Sequence, residues 1–344
     1  VRQGISVNQT RIIGMDQLEQ AVESLAKAEV VAMPTETVYG LAGDATSDQA
    51  CREIFAIKGR AMDNPLISHF AHYDQLISYA PIIPSLAKDL FTAFSPGPLT
   101  IVLPASRHIS AIATAGLSTF AVRIPMHPVA QELIRRFDRP LVAPSANLSG
   151  RYSSTSAQMV YDQLAGRIPL IIDGGVSSNG LESTVVLVQE SSVTILRYGS
   201  ITPTMLADVI GSSRLQVAES LRKSTESGER CTDAVVLSPG MKYAHYQPQV
   251  PLQLFRSTQA LHLIQRSESV MVLMLGDRPL PHPDQDYLRV IRFDSVTEYA
   301  QKLYESFALA DRLGVEQLMA YYDTHLGEAL CDRLLRAAAY RFLS

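Results

Sequence analysis

Residues 30–40 read Val30-Val31-Ala32-Met33-Pro34-Thr35-Glu36-Thr37-Val38-Tyr39-Gly40, and this stretch decides the architecture. The short apolar run Val30 to Met33, stopped by Pro34, has the pattern of a buried strand. Upstream, Met15, Leu18, Val22 and Leu25 recur at helical spacing, so a helix leads into that strand. The hydroxyls that follow Pro34 therefore stand just past a strand end, where open α/β sheets place their ligands.

The same grammar continues. A helix is expected over residues 48–57, with Ile54 and Ile57 on one side and Lys58 at its end. Extended runs follow at 66–70, 99–104, 119–124, 140–143, 169–172, 184–188 and 194–197, interleaved with helical segments near 83–94, 128–137, 156–164 and 203–210. This mixture predicts an α/β or α+β domain with a mixed sheet ending near Ile210. Residues 211–233 are polar without a clear apolar face and read as the start of a linker over 211–250. Beyond it, strands at 234–237, 251–255, 270–275, 287–292 and 317–322, with helices at 258–265, 295–313 and 327–342, predict a small parallel-sheet domain over 251–344.

Composition narrows the function classes. A chain of 344 residues with 47% hydrophobic and 19% charged residues can bury two cores. Its net charge of -4 argues against coating nucleic acid as a main role, because such affinity comes from many cations neutralising phosphates. Cys51, Cys231 and Cys331 lie far apart without metal-ligand spacing, so neither a disulfide framework nor a structural zinc is expected. No apolar stretch is long enough to span a membrane and the first residues lack a secretory core, which together read as a cytoplasmic protein.

The common catalytic motifs are missing. The nearest approach to a P-loop, Gly175 to Gly180, runs into Leu181 and Glu182, and there is no G-x-S-x-G, H-E-x-x-H or G-x-G-x-x-G. Four polar strings remain, each after a buried-strand signal: residues 34–40, Lys58-Gly59-Arg60 with the following 64–69, residues 144–150, and 173–184 with Arg197 one hairpin later. A lysine point charge beside an arginine fork suits several phosphate oxygens, yet a solvated helix end uses the same residues to complement its dipole. Small hydroxyls and glycines cradle phosphate or make ordinary turns. His69 and Arg123 sit beside apolar runs and need partners there, supplied either by a ligand or by the fold itself.

Taken jointly, PTETVYGL, IKGR, NPLISH, SPGPLT, AVRIPMHPVA, APSANLSG, IIDGG, ESTVV and LRYG, with SPGMKYAHYQP at 238–248 and GEALCDRLLRAA near the end, resemble the YrdC-domain family in its longer two-domain form. That resemblance runs from about Met15 to the carboxy terminus. It implies a YrdC-like twisted mixed sheet with flanking helices, followed by a smaller Rossmann-like parallel-sheet domain. It further implies that L-threonine, bicarbonate and ATP give threonylcarbamoyl-AMP and pyrophosphate, with Mg²⁺ assisting, for a tRNA modification beside the anticodon.

Carried over by motif, Thr37, His69, Arg123, Ala143 and Ser183 would hold threonine, with Arg123 on its carboxylate. Lys58, Arg60, Asn64, Thr119, Ser145, Asn147, Ser153 and Arg197 would hold ATP, with Lys58 and Arg60 closest to the chemistry. His245 and Tyr246 would belong to a lid. The sequence departs from the family at Ser95, where Trp is usual, at the exchanged Ala42 and Gly43, at Tyr152 and Tyr198 in place of prolines, and at Ala244 in place of Arg. A transient contact with tRNA or with threonylcarbamoyl-transfer proteins is a further expectation. A related carbamoyl-adenylate-forming enzyme and a double-stranded RNA or tRNA binder are the alternatives.

Overall fold

The computed structural model describes residues 9–80, 82–105, 107–226, 245–264, 269–281 and 288–343. The first domain runs β1 (Arg11–Ile13), α1 (Leu18–Ala26), β2 (Val31–Met33), β3 (Gly40–Asp44), α2 (Asp48–Lys58), β4 (Ile67–His69), α3 (Tyr73–Ile77) and α4 (Ser85–Phe94). It continues with β5 (Leu99–Pro104), β6 (Thr119–Arg123), α5 (Pro128–Phe137), β7 (Leu141–Val142), α6 (Ala157–Leu164), β8 (Leu170–Ile172), β9 (Thr184–Val188), β10 (Val193–Arg197) and α7 (Pro203–Ile210). After these come β11 (Leu215–Val217) and α8 (Glu219–Glu226).

All eleven strands join one mixed sheet in the order β1-β8-β2-β3-β7-β4-β6-β5-β9-β10-β11. Its central strands are buried along almost their whole length because helices cover both faces. Leu18 and Leu25 of α1 with Leu133 and Phe137 of α5 form one core. Ile54 of α2, Leu90 of α4, Val160 of α6 and Leu206 of α7 belong to the other.

Two elements escape the sequence pattern. β3 reads Gly-Leu-Ala-Gly-Asp, without the β-branched residues or alternation that signal a strand, yet it is buried between β2 and β7. Its glycine is steric: a Cβ on Gly43 would stand 3.1 Å from Ile54 Cδ1, so the strand lets α2 pack close. The polar stretch after Ile210 is not all linker, since β11 pairs in parallel with β10 and α8 follows it. An edge strand held by main-chain pairing, with half-buried side chains, needs no apolar alternation.

The second domain has β12 (Leu252–Phe255), β13 (Val270–Leu275), β14 (Leu288–Phe293), α9 (Val296–Leu313), β15 (Gln317–Tyr321) and α10 (Glu328–Ala337). Its four strands are parallel in the order β12-β15-β13-β14, as the strand-helix alternation predicts. Residues 258–263 form a 3-10 turn instead of an α-helix, and α10 stops at Ala337, leaving Phe342 to bridge Leu254. The expected strand at 234–237 and residues 238–244, including Ala244, lie outside the described residues.

The two domains share a core. Tyr152 and Leu181 of the first pack into the same cluster as Tyr304 and Phe307 of α9, with the Tyr152 and Phe307 rings edge-on at 6.3 Å. Arg151 pairs with Asp311 at 2.6 Å, and Gln301 donates to the Ser178 carbonyl at 2.7 Å. Gly180, at φ +74°, allows a close approach of the two domains: a Cβ there would strike the α9 backbone at Ala300 and Gln301.

Candidate active site

A small cavity lies where β4 and β6 end and the chain leaves β2. His69 and Arg123 close two parallel neighbours in register, so both side chains emerge on the same side. Thr37, Arg60, Ala143, Ser145, Ser183 and Arg197 join them, and His245 and Tyr246 close the cavity from the interdomain segment. Ten residues expected from the sequence, drawn from both substrate sets and the lid, thus meet around one space. Its volume is about 50 Å³, room for one or two waters.

The β4–β6 side is prearranged. Arg123 donates to Glu36 Oε1 at 2.6 Å, to Thr37 Oγ1 at 2.8 Å and to the Gly97 carbonyl at 3.2 Å. Glu36 also accepts from the Met126 amide at 3.0 Å. Burial pushes its carboxyl up, but the Arg123 guanidinium and these hydrogen bonds outweigh that and hold it below the ordinary value. Burial, reinforced by Arg123, lowers the His69 pKa to about 3, so the imidazole is neutral. Its Nδ1 lies 3.1 Å from the Ile67 carbonyl, which can only accept, so Nδ1 carries the proton and Nε2 is the acceptor.

The Lys58 side is basic and crowded. Arg60 turns its fork onto Asn64, with its carbonyl at 3.0 Å and Oδ1 at 2.6 Å, and onto the Pro65 carbonyl at 3.0 Å. Lys58 follows the same logic more completely. Its Nζ meets the carbonyls of Ser145 and Asn147 and the Asn147 side chain, so the expected phosphate ligand here shapes the 144–147 loop. Burial, with Arg60 nearby, lowers its pKa well below the ordinary value. Arg197, whose pKa burial also lowers, donates to the carbonyl and hydroxyl of Ser183, both at 3.0 Å.

Not every expected residue reaches the cavity. Asn64 and Asn147 stand behind it as acceptors for Arg60 and Lys58, and Ser153 is buried with its hydroxyl on Glu182. Thr119 opens β6, at the far end of the strand from Arg123, and does not line the cavity.

Two carboxylates missed by the sequence reading, Glu36 and Glu182, organise the site. Both were inside quoted strings, and a buried acid beside apolar residues is itself a signal, since it demands a cation. Among the described residues, three arginines, Arg60, Arg123 and Arg197, line the cavity with a single carboxylate, Glu182, so positive charge prevails there and anionic ligands fit.

His245 is half-buried, but its Nε2 is shut from solvent and has no partner among the described residues. Burial and then Arg60, Arg336, Arg197 and Lys58 lower its pKa, leaving the ring neutral among cations. Among the described residues no group of three or more His, Cys, Asp or Glu could hold a metal ion, and both site carboxylates are engaged by arginines.

Comparison with known proteins bears on this site. The family model described as "Telomere recombination" matches residues 23–199, and that described as "Threonylcarbamoyl-AMP synthase, C-terminal domain" matches residues 201–339. The chain is 37% identical over 329 residues to the threonylcarbamoyl-AMP synthase of Pyrococcus abyssi, covering 93% of each, and 39% identical over 337 residues to that of Bacillus subtilis, covering 95% of this chain and 94% of the other. A shorter protein of the same name from Vibrio vulnificus is 36% identical over 173 residues, 50% of this chain and 93% of its own. In three dimensions the chain resembles P. abyssi Sua5 solved in complex with L-threonine, with a TM-score of 0.87 and 34% identity over 97% of this chain and 99% of that one.

Proposed function

The chain belongs to the threonylcarbamoyl-AMP synthase family in its two-domain form, and from that premise we propose that it makes threonylcarbamoyl-AMP from L-threonine, bicarbonate and ATP. The observation that carries the reading is the meeting of Arg123, Thr37 and neutral His69 with Arg60 and Arg197 around one water-poor space. Of the two walls, the first suits an amino acid. The Arg123 fork faces the carboxylate, and His69 Nε2 accepts from the amine or hydroxyl. Ser183 and the backbone at Ala143 complete that wall.

The chemistry has two steps. The threonine nitrogen bonds to the carbon of bicarbonate with loss of water, giving a carbamate. A carbamate oxygen then attacks the α-phosphorus of ATP, the bond to the β-phosphate bridging oxygen breaks, and pyrophosphate leaves. No covalent enzyme intermediate is required, so the protein's task is to position the partners and offset charge, which Arg60 and Arg197 perform for the phosphates. Lys58 acts through the loop that carries Ser145 and Asn147.

Mg²⁺ fits this protein only as a companion of the triphosphate, because the nearby carboxylates are committed to arginines; no step is assigned to it. His245 and Tyr246 act as a lid that keeps water from a labile carbamate. The product would serve tRNA modification in the cytoplasm, and no described helix is long and apolar enough to cross a membrane.

The deciding assay is pyrophosphate release from ATP with threonine and bicarbonate added or omitted. The expected result is release that depends on both. Release indifferent to threonine rejects the reading, and undiminished product yield after deletion of residues 238–248 rejects the lid.

A further inference from the structure

The second domain reaches the site through Arg333 and Tyr304, and the arginine makes the wider set of contacts. Arg333, on α10, is completely buried and makes three contacts outside its own helix. Its Nε donates to Glu182 Oε2 at 2.7 Å, its NH2 group donates to the Tyr198 carbonyl at 2.9 Å, and its guanidinium lies 4.9 Å from the centre of the Tyr246 ring. Each contact lands on a different part of the pocket: the turn before Ser183, the turn after Arg197, and the lid.

The first contact governs a carboxylate. Glu182 accepts from the Ser153 hydroxyl and from the Tyr304 hydroxyl of α9, at 3.3 and 3.2 Å to its two oxygens, as well as from Arg333. Burial pushes Glu182 up, and Arg333, then Arg197 and Ser153, more than reverse this, so the group is an ionised acceptor. Its orientation fixes where Ser153 points.

The third contact governs the lid. Tyr246 has φ +70°, a left-handed conformation that a bulky side chain rarely adopts without outside support. That support comes from the second domain, through the Arg333 cation beneath the ring and the Tyr304 ring stacked at 5.9 Å and 25°.

We infer that Arg333 is a positioning residue for the nucleotide side of the site: it fixes the turn after Arg197 through the Tyr198 carbonyl, sets Glu182 beside Arg197, and holds Tyr246 in its closing conformation. This rests on the synthase reading above. The residue type matters, because a planar fork serves a carboxylate and a carbonyl in its plane and an aromatic ring on its face, whereas an ammonium has one point of charge and no plane. Asp332 pairs with both Arg333 and Arg336 at 2.6 Å, so the helix presents a preset pair of cations.

The test uses the full-length chain with Arg333→Lys, which keeps the charge that Glu182 needs, and Tyr304→Phe, which keeps the stacked ring. Binding of a non-hydrolysable ATP analogue and of L-threonine is read separately by calorimetry, alongside the KM for ATP and kcat. Arg333→Lys is expected to weaken the nucleotide about tenfold or more, the scale of one charge-assisted hydrogen bond, with threonine binding changed less than about twofold. Tyr304→Phe is expected to give a smaller loss in the same direction.

If Arg333→Lys fails to fold, the Arg333→Gln with Glu182→Gln double variant removes both charges and provides the same readout. A variant with lowered melting temperature but unchanged nucleotide binding would reduce Arg333 to a clamp between domains and overturn the proposal. Equal loss of both ligands would overturn it too. A wild-type chain that binds the ATP analogue but releases no threonine-dependent pyrophosphate refutes the synthase reading while leaving the Arg333 comparison intact.

Discussion

The two walls of the pocket are built in opposite ways. Arg123, Glu36, Thr37 and His69 all lie within the first domain: Arg123 and His69 stand in register at strand ends, and Glu36 and Thr37, in the loop after β2, are tied to Arg123 by hydrogen bonds. Glu182 and Tyr246 depend on Arg333 and Tyr304, which arrive from the second domain. A sheet-borne wall is rigid and ready. A wall completed by another domain changes with how the two domains dock. The cavity of about 50 Å³ that His245 and Tyr246 help close is too small for a nucleotide as it stands.

The largest expected effect breaks the first wall. Arg123→Ala removes the cation that balances buried Glu36, so it should cost about 3–5 kcal/mol of stability. Activity should fall at least about a hundredfold. Urea unfolding and pyrophosphate release measure the two losses. Adding Glu36→Gln should return part of the stability and none of the activity; recovery of both would mean that Arg123 is structural only.

Next in size, Arg60→Ala should weaken ATP about tenfold or more while leaving threonine affinity within about twofold, since Arg60 belongs to the other wall. Parallel loss of both ligands in calorimetry would show that the walls are not independent.

Acid provides a third comparison. His69 has a folded pKa of about 3 against an ordinary 6.5, so as pH falls the unfolded chain takes up the proton first. Stability from this group is complete above about pH 6.5 and is lost progressively towards pH 3. Between pH 7 and 5 the wild type should therefore lose about 2 kcal/mol more than His69→Gln in urea titrations. Parallel curves would show His69 to be solvated.

The smallest effect lies behind the first wall. Ser95 Oγ is buried with no partner among the described residues, so Ser95→Ala should gain about 0.5–1 kcal/mol without altering turnover. A loss of stability would reveal a bond that the hydroxyl makes.

Much of the fold was legible because each strand or helix carries its own apolar period. Residues 128–137 and 203–210 are helical over the expected spans, since Pro opens each and an apolar face runs its length. β3 was not legible because its glycines answer to α2, and β11 was not because an edge strand needs no apolar face. In the site, the strings around Thr37, His69 and Arg123 stand at or just past strand ends and Ser183 just before β9, and the fold brings all four to one cavity. Lys58 was a different matter. Its sequence context placed it beside Arg60, but only the fold shows its ammonium turned onto the 144–147 loop.

By itself, then, the sequence determined most of the strands and helices and which polar strings stand near strand ends, since these depend on neighbours a few residues away. Only the tertiary structure decided the partners. Arg123 finds Glu36 across 87 residues and Arg333 finds Glu182 across 151. Such pairings follow from strand order and domain docking, and desolvation enforces them, because a charge taken out of water must meet its opposite wherever the fold brings it.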